Sequence, residues 1–483
     1  MIRYAILTTY VAFFCAYAFK DWYRALLGLL FLVAFMERPD MPEAMFGIPG
    51  LAPFNILLVF VVLGYLGQRS HEVTHWKAPP KNRVFLIGLV LILAIGVIRM
   101  VADMGAIYDT AYIMARDFRM DTGSIVFEYF ATTIKWAIPG LLVMAGCNSE
   151  KRLKETMFVM MLVVVLLALQ ILKVMPLTLI ADGHALQKRA VRVMDRDVGF
   201  HRNQLGVWMA SGFWFVWLYM TELADRTRKF WMFSLAMLIF FALIMTGSRG
   251  GLLCWGLTGC VFAWVRWRKL LLLGPAIVLV AVMLIPALQE RVTQGLSQDE
   301  VSSYVKDDAI GGRTLGLAAA SSGRTIFWAY SIPKIMEKPF FGWGRRSFIR
   351  SGVTLDLYET YDLSMAVSHP HNAYLQTVFD NGIFGALFVV AYFVWLATRS
   401  YGLFKSDHRT TRLVGGLGLA WICTYLISGI TASTFYPNEG SIFLWAIMGL
   451  VAKGGVGLME QQQAEQAPVL PPHMRVPGPV AGR

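Results

Sequence analysis

Two residue types recur in this chain where they could do chemistry. Arginine offers a planar fork that matches paired phosphate oxygens, and histidine moves protons near neutral pH. Ser248-Arg249-Gly250-Gly251 joins an apolar block ending near Thr246 to one starting at Leu252. So short a link puts Arg249 at a membrane border, where an arginine either snorkels to water or meets an anion. Gly323-Arg324-Thr325-Ile326-Phe327-Trp328 opens a stretch, 323–337, that can form an amphipathic helix presenting Ile326, Phe327, Tyr330 and Ile335, interrupted near Pro333. That helix is expected along the membrane interface with its apolar face on lipid, which sets Arg324 near headgroup depth. Ser368-His369-Pro370-His371-Asn372 stands at the mouth of a later block and carries two of the eight histidines. His371, beside Asn372, is the better-placed proton acceptor, a structural role being the alternative. Arg202 and Asn203 hold a similar place before the block that starts at 204.

Other polar groups carry weaker signals. Asp195 and Asp197 form a DxD spacing, which can hold a metal-nucleotide in sugar transferases, but the spacing is common by chance and reads as surface charge. Glu128 and Lys135 lie seven residues apart in one apolar block, hence on one helical face. Intramembrane charges point to function by default, although Lys135, the deeper of the two, could be held by a purely structural partner. The histidines at 369 and 371 have no neighbouring cysteine or carboxylate cluster, so no metal site is expected there. The five cysteines, Cys15, Cys147, Cys254, Cys260 and Cys423, lie in or beside apolar blocks and contain no CxxC, which argues against a disulfide framework or a zinc site.

Composition says what must position these residues. Of 483 residues, 57% are apolar and 16% charged, against roughly 25% charged in an average soluble domain. Mean hydropathy is +0.55, and the apolar residues come in long blocks. A soluble globular protein, a coiled coil and a disordered chain are excluded. The net charge is +13, yet no run of five like charges occurs, so nucleic acid is not an expected partner. The excess fits the positive-inside bias of membrane proteins or, more sharply, an anionic substrate handled outside the membrane.

About thirteen blocks approach the length of a crossing. They lie near 4–19, 22–36, 52–67, 84–102, 124–146, 155–173, 204–220, 230–246, 252–265, 270–286, 372–397, 412–430 and 438–454. The expected fold is an all-α, polytopic transmembrane helix bundle of about 12–13 spans in the lipid bilayer. Seventeen lysines and arginines fall in one alternating set of loops: Arg69 to Arg83, Lys151 to Lys154, Arg226 to Lys229, Arg266 to Lys269 and Arg399 to Arg412. The short loops of the other set hold four, Arg38, Arg116, Arg119 and Arg249. The first set is therefore expected in the cytoplasm. Segments 174–203 and 287–371 then fall outside. The chain divides into N-terminal helices (1–286), a large external loop (287–371), C-terminal helices (372–458) and a disordered cytoplasmic tail (459–483). Ala16-Tyr17-Ala18 after an apolar run looks like a signal-peptide cleavage site, but removal followed by an inward 22–36 crossing would turn every basic loop outward. Either Met1 lies outside, or 1–36 makes one net crossing.

With these motifs in place, the sequence resembles the O-antigen ligase and polymerase superfamily. The resemblance rests on SRGG after one span, GR…W…KPFFGWG in an external loop and HNAYLQTVFDNGIFG entering the next span, and covers about residues 199–400. The opening, Lys20-Asp21-Trp22-Tyr23-Arg24 and Pro53-Phe54-Asn55, is similar to O-glycosylation ligases of exosortase-linked systems. The resemblance implies a multi-pass enzyme of the bacterial inner membrane with its active site facing the periplasm. It would take a glycan from undecaprenyl diphosphate and pass it to a hydroxyl of an acceptor glycan, lipid or protein. It carries diphosphate contacts onto Arg249 and Arg324, with Arg202 beside them, and the catalytic base onto His371; Asn372, Asn203 and Ser248 would support them. No cofactor and no metal are expected, because the donor brings its own leaving group. One departure is Arg345-Arg346 after Gly344, where the family has smaller residues, which leaves the acceptor contacts open. A polymerase extending one lipid-linked chain with another shares the mechanism. A transporter is a reading of another class, and would need charges lining a midplane path, which only Lys135 approaches.

Overall fold

The structure, a computed structural model, describes residues 2–42, 44–48, 50–68, 80–114, 121–269, 324–361, 367–432 and 435–454, with isolated positions between 271 and 289. Expectations for 291–323, for the tail and for most of block 270–286 lie outside the described residues. The remaining twelve blocks all fall on helices, and the described residues contain no strand. In order these are α1 (Ile2–Ala18), α2 (Trp22–Leu32), α3 (Pro53–Gln68), α4 (Pro80–Val101), α5 (Met104–Ile113), α6 (Thr122–Val126), α7 (Thr133–Gly146), α8 (Glu150–Val174), α9 (Gly183–Val193), α10 (Arg202–Thr221), α11 (Arg226–Met245) and α12 (Arg249–Val265). After the external segment come α13 (Arg324–Glu337), α14 (Ser347–Arg350), α15 (Val353–Tyr361), α16 (Ala373–Phe404), α17 (Arg409–Ser428) and α18 (Ile442–Lys453). Five of them, α4, α8, α11, α16 and α17, are long and apolar enough to cross a membrane. The protein is an all-α, multi-pass membrane bundle.

Polar residues at the block edges start the helices. Asp21, Ser149, Asp225, Ser248 and Asn372 each accept a backbone N–H from the first turn of α2, α8, α11, α12 and α16. α17 lies at the centre, 72% buried over its apolar window against 22% for α4, which borders the bundle. Trp421 of α17 meets Phe443 of α18, which in turn packs on Trp208 of α10, and all three are buried in the core.

The basic loops gather at one end. Glu222 takes Arg412 at 2.6 Å and Arg266 at 2.7 Å, and Glu150 accepts from Thr410 at 2.6 Å. Asp195, Gly247, Arg324, His371 and Gly429 belong to the opposite end. The N-terminal alternatives resolve in the same frame. Ala18 accepts from Gln68 and Tyr23 meets Thr156, both at the basic end, whereas Arg3 pairs with Asp40 and Ala34 accepts from Gln170 toward the other. α1 and α2 therefore run antiparallel through the bundle, with residue 2 opposite the basic loops.

Two expectations need correction. The first is α13, which runs through Pro333 without interruption. Its face bearing Ile326, Phe327 and Ile335 packs on Phe348, Val353, Leu357 and Phe379 of the protein, not on lipid. Protein outcompetes lipid because the short helices α14 and α15 cover that face. The second is the block entering at 372, which is not one straight crossing: Gly382 breaks α16 with φ 67° and ψ −173°. The Phe435 ring lies 4.9 Å from Tyr374 and 5.1 Å from Phe393, whereas nineteen residues of straight helix would separate those two by about 28 Å. The arm 373–381 thus folds back beside the spanning arm 383–404.

Candidate functional site

The site begins with a close helix crossing. A Cβ on Gly206 would fall 3.1 Å from the Gly251 Cα, and one on Gly251 only 2.8 Å from the Gly206 Cα. Backbone contact of that kind draws the starts of α10 and α12 together. Ser248 Oγ donates to Asn203 Oδ1 at 2.9 Å and accepts the Gly251 N–H at 3.0 Å. Asn203 and Ser248 thus bind each other, and in doing so bring the neighbouring Arg202 and Arg249 together.

The histidine segment arrives from elsewhere in the chain. Trp328 Nε1 of α13 donates to the Pro370 carbonyl at 3.0 Å, and the Phe327 ring stands 5.8 Å from that of His371. The His369 and His371 rings lie 4.1 Å apart. His371 sits in the left-handed region with φ 50°, costly for a side chain with a Cβ and a common mark of functional positions. Next to it Asn372 Oδ1 accepts the N–H groups of Tyr374 and Leu375, both at 3.0 Å, so this side chain is committed to capping α16. The Ala373 N–H donates to Gly429 at 2.7 Å and anchors the segment to the end of α17.

Electrostatics tie the pieces together. Burial, then the charges of Arg249 and Arg202, presses the Arg324 guanidinium below its ordinary value. Burial also pushes the His371 imidazole down to about 3, with His369, Arg324 and His201 adding to the effect. His371 is therefore neutral at pH 7, with a lone pair able to accept a proton, but is a weak base while it stays buried beside cationic groups. Arg202, Arg249, Arg324 and His371, picked from four separate stretches, come together; Asn203, Ser248 and Asn372 frame them.

His201, not among the residues expected from the sequence, also belongs to the cluster. Its Nδ1 accepts the Asn203 N–H at 3.2 Å, capping α10, which leaves the proton of the neutral ring on Nε2. Burial lowers its pKa, Asp195 opposes that, and Arg202 and Arg324 add to it. The signal was its place directly before Arg202. The DxD pair divides: Asp195 acts on His201, whereas Asp197 is held by Arg196 through bonds of 2.7 and 3.0 Å. Among the described residues no group of three or more His, Cys, Asp or Glu is placed to hold a metal ion. Glu128 lies in a π-helical turn, Phe127–Thr132, and Lys135 sits over the Trp136 ring at 4.3 Å.

A second arginine-rich region surrounds Lys338-Pro339-Phe340-Phe341-Gly342-Trp343-Gly344, which docks on the α16 break. The Trp343 and Gly344 N–H groups donate to Phe379 and Asp380, each at 2.7 Å, and the Ile383 N–H donates to Pro339 at 2.8 Å. Only glycine fits at two points: Gly342 has φ 64°, and a Cβ on Gly382 would lie 2.2 Å from the Phe340 carbonyl. Arg345 pairs with Asp380 at 3.9 Å and lies 4.0 Å over the Tyr436 ring. Arg346 donates to the Tyr129 hydroxyl, and Arg350 to Asp103 at 3.0 and 3.1 Å. Because the Arg345 N–H also donates to Gly96 at 3.1 Å, the Arg345-Arg346 departure joins this loop to α4, to the π-helical turn before α7 and to α16.

Fold and site together define a polytopic helical membrane protein with a cationic, histidine-bearing cluster at the end opposite its basic loops. A family model, Wzy_C, described as O-Antigen ligase, matches residues 234–390, the stretch that holds Ser248, Arg249, Arg324, His371 and Asn372. The resemblance read from the motifs is borne out there. The chain is also similar to a Rickettsia conorii protein named "Putative polysaccharide ligase RC0486", 24% identical over 174 residues, or 35% of this chain. The match spans 40% of that relative's length.

Proposed function

We propose that the protein is a membrane glycosyltransferase of the O-antigen ligase kind. It takes a glycan from undecaprenyl diphosphate and passes it to an acceptor hydroxyl at the periplasmic face of the bacterial inner membrane. The observation that carries this reading is geometric: the Asn203–Ser248 bond and the Gly206–Gly251 crossing bring Arg202 and Arg249 together, and α13, which begins at Arg324, meets the His371 segment through Phe327 and Trp328. The O-Antigen ligase description of residues 234–390 and the polysaccharide-ligase name of the Rickettsia conorii relative support the same class.

In the reaction the acceptor oxygen forms a bond to the anomeric carbon as the bond to the diphosphate oxygen breaks. Negative charge gathers on the departing diphosphate, where prepositioned guanidinium groups stabilise it by several kcal/mol, roughly. His371 accepts the hydroxyl proton. Donor phosphates among the arginines offset their field and lift the imidazole from its low resting value toward the range where a base works. The donor brings its leaving group and the arginines neutralise it, so turnover in chelator is expected to match untreated protein. A chelator-sensitive reaction restored by manganese or magnesium would return Asp195 to consideration.

The deciding experiment mixes purified protein with a lipid-linked glycan and candidate glycan, lipid and protein acceptors, and scores release of undecaprenyl diphosphate. Release with growth of the lipid-linked chain itself would make the enzyme a polymerase. No release with any acceptor, from folded and inserted protein, sinks the proposal.

A further inference from the structure

The corrected orientation of α13 leaves a different set of apolar residues uncovered. Phe340 and Phe341 are 59% and 70% exposed, and Ile332 and Met336, on the face of α13 turned from the protein, are 53% and 68% exposed. Both phenylalanine rings rest on Phe384 of α16, at centroid distances of 5.9 and 5.6 Å. Phe384 is itself 56% exposed and starts the outward stripe that continues through Leu387, Val390 and Val394.

The length of α16 sets the height of this patch. The spanning arm of α16 runs from Ile383 to Phe404, which at 1.5 Å per residue is about 33 Å, close to the ~30 Å hydrocarbon core. Its first turn, where Phe384 lies, is therefore at the outer hydrocarbon boundary. The loop is pinned at that height by four backbone bonds across the Gly382 break, including the Ile383 N–H to Pro339. Cations rim the patch: Lys338 lies 3.6 Å over the Trp343 ring, and Arg99, in the last turn of α4, donates to the Phe341 carbonyl. Aromatic residues at the boundary with basic groups just above them suit acyl chains below and phosphate headgroups beside.

We infer that Pro339–Phe341, with Ile332 and Met336 of α13, form a wedge seated in the outer boundary of the lipid bilayer, continuous with the lipid-facing stripe of α16. α13 carries the wedge on one face and Phe327, packed toward His371, on the other. The lipid contact thereby sets the height of Arg324 and the histidine segment over the membrane. The inference does not depend on the proposed reaction.

The test uses the whole protein in phospholipid nanodiscs free of polyprenyl lipid, in a Cys260→Ser background because Cys260 is exposed. Nitroxides go on Phe341→Cys and, separately, Phe340→Cys, with Leu387→Cys as the lipid reference and the exposed Glu359→Cys as the aqueous one. Relaxation by oxygen relative to a water-soluble nickel complex is expected to match the 387 position and to exceed the 359 position severalfold. A ratio like that at 359 for both loop positions overturns the wedge. So does protection seen only after undecaprenyl diphosphate is added, which would assign the surface to that lipid's own chain. Protection only in discs holding two copies would assign it to self-association and overturn it equally.

Discussion

Where α10, α12, α13 and α16 begin, burial and then the charges of Arg249 and Arg202 press on Arg324, and burial and then His369, Arg324 and His201 press on His371. Around the α16 break, arginines are as dense, but Arg345 has Asp380 at 3.9 Å and Arg350 has Asp103 at 3.0 Å. A guanidinium matched by a carboxylate is a joint; its removal leaves a buried charge behind. Guanidinium groups that share one neighbourhood make it attractive to an anion. On the proposed function the first region meets the ligand, whereas the second ties the loop to its helices, although both are arginine-rich stretches at one end of the bundle.

The sharpest break between the regions lies in what mutation costs. His371→Ala is expected to lower turnover about 10²- to 10⁴-fold while lipid-linked donor still binds, with His369→Ala milder. Near-normal turnover of folded, inserted His371→Ala at neutral pH would make the histidine structural. Asp380→Ala should instead cost roughly 3–5 kcal/mol of stability, because Arg345 loses its buried partner. The check is thermal unfolding in detergent; an unchanged midpoint would dissolve the contrast.

Arg249→Lys keeps the charge but loses the fork, so kcat/KM is expected to fall about 10- to 100-fold with the midpoint unchanged. Full activity would mean that point charge suffices.

The pH profile sharpens the comparison further. Burial, and after it the charged neighbours, disfavours the imidazolium, so the acid limb of kcat/KM, which reports free enzyme, should lie far below the ordinary 6.5, toward the value of about 3 for His371. Arg324→Gln should move that limb upward, and Arg346→Gln should leave it in place. A wild-type limb near 6.5, or equal shifts in both variants, counts against the coupling. The same depression means that stability held above the unfolded value of 6.5 is lost as pH falls toward 3.

The smallest effect is expected for His201→Asn. Asparagine also caps helices, so α10 should keep its start while the Nε2–H donor disappears. Donor affinity should weaken about fivefold, the worth of one hydrogen bond. Unchanged affinity would leave His201 a cap only.

Much of this was legible in residue order. Long apolar blocks name the helices because a backbone in hydrocarbon must satisfy its own hydrogen bonds, and twelve of the thirteen blocks appear as such. Loop charge separated the two ends. Arg249, Arg324 and His371 stood out because an arginine or histidine at or beside a block edge can meet an anion or a proton at membrane level. The sidedness of α13 did not, since its face was judged from periodicity, which cannot tell protein from lipid as the apolar partner.

By itself, then, the sequence determined the helical class, the two ends of the bundle and the residue types able to meet a diphosphate and a proton. Local preferences and burial of apolar blocks suffice for those, since each depends on neighbours along the chain. Only the tertiary structure decided that α16 folds back at Gly382, that the Gly206–Gly251 crossing brings Arg202 beside Arg249, and that Arg345 and Arg350 are matched by acids. Those outcomes depend on contacts between residues tens to hundreds of positions apart, where a missing Cβ or an opposing carboxylate acts only once the helices have packed.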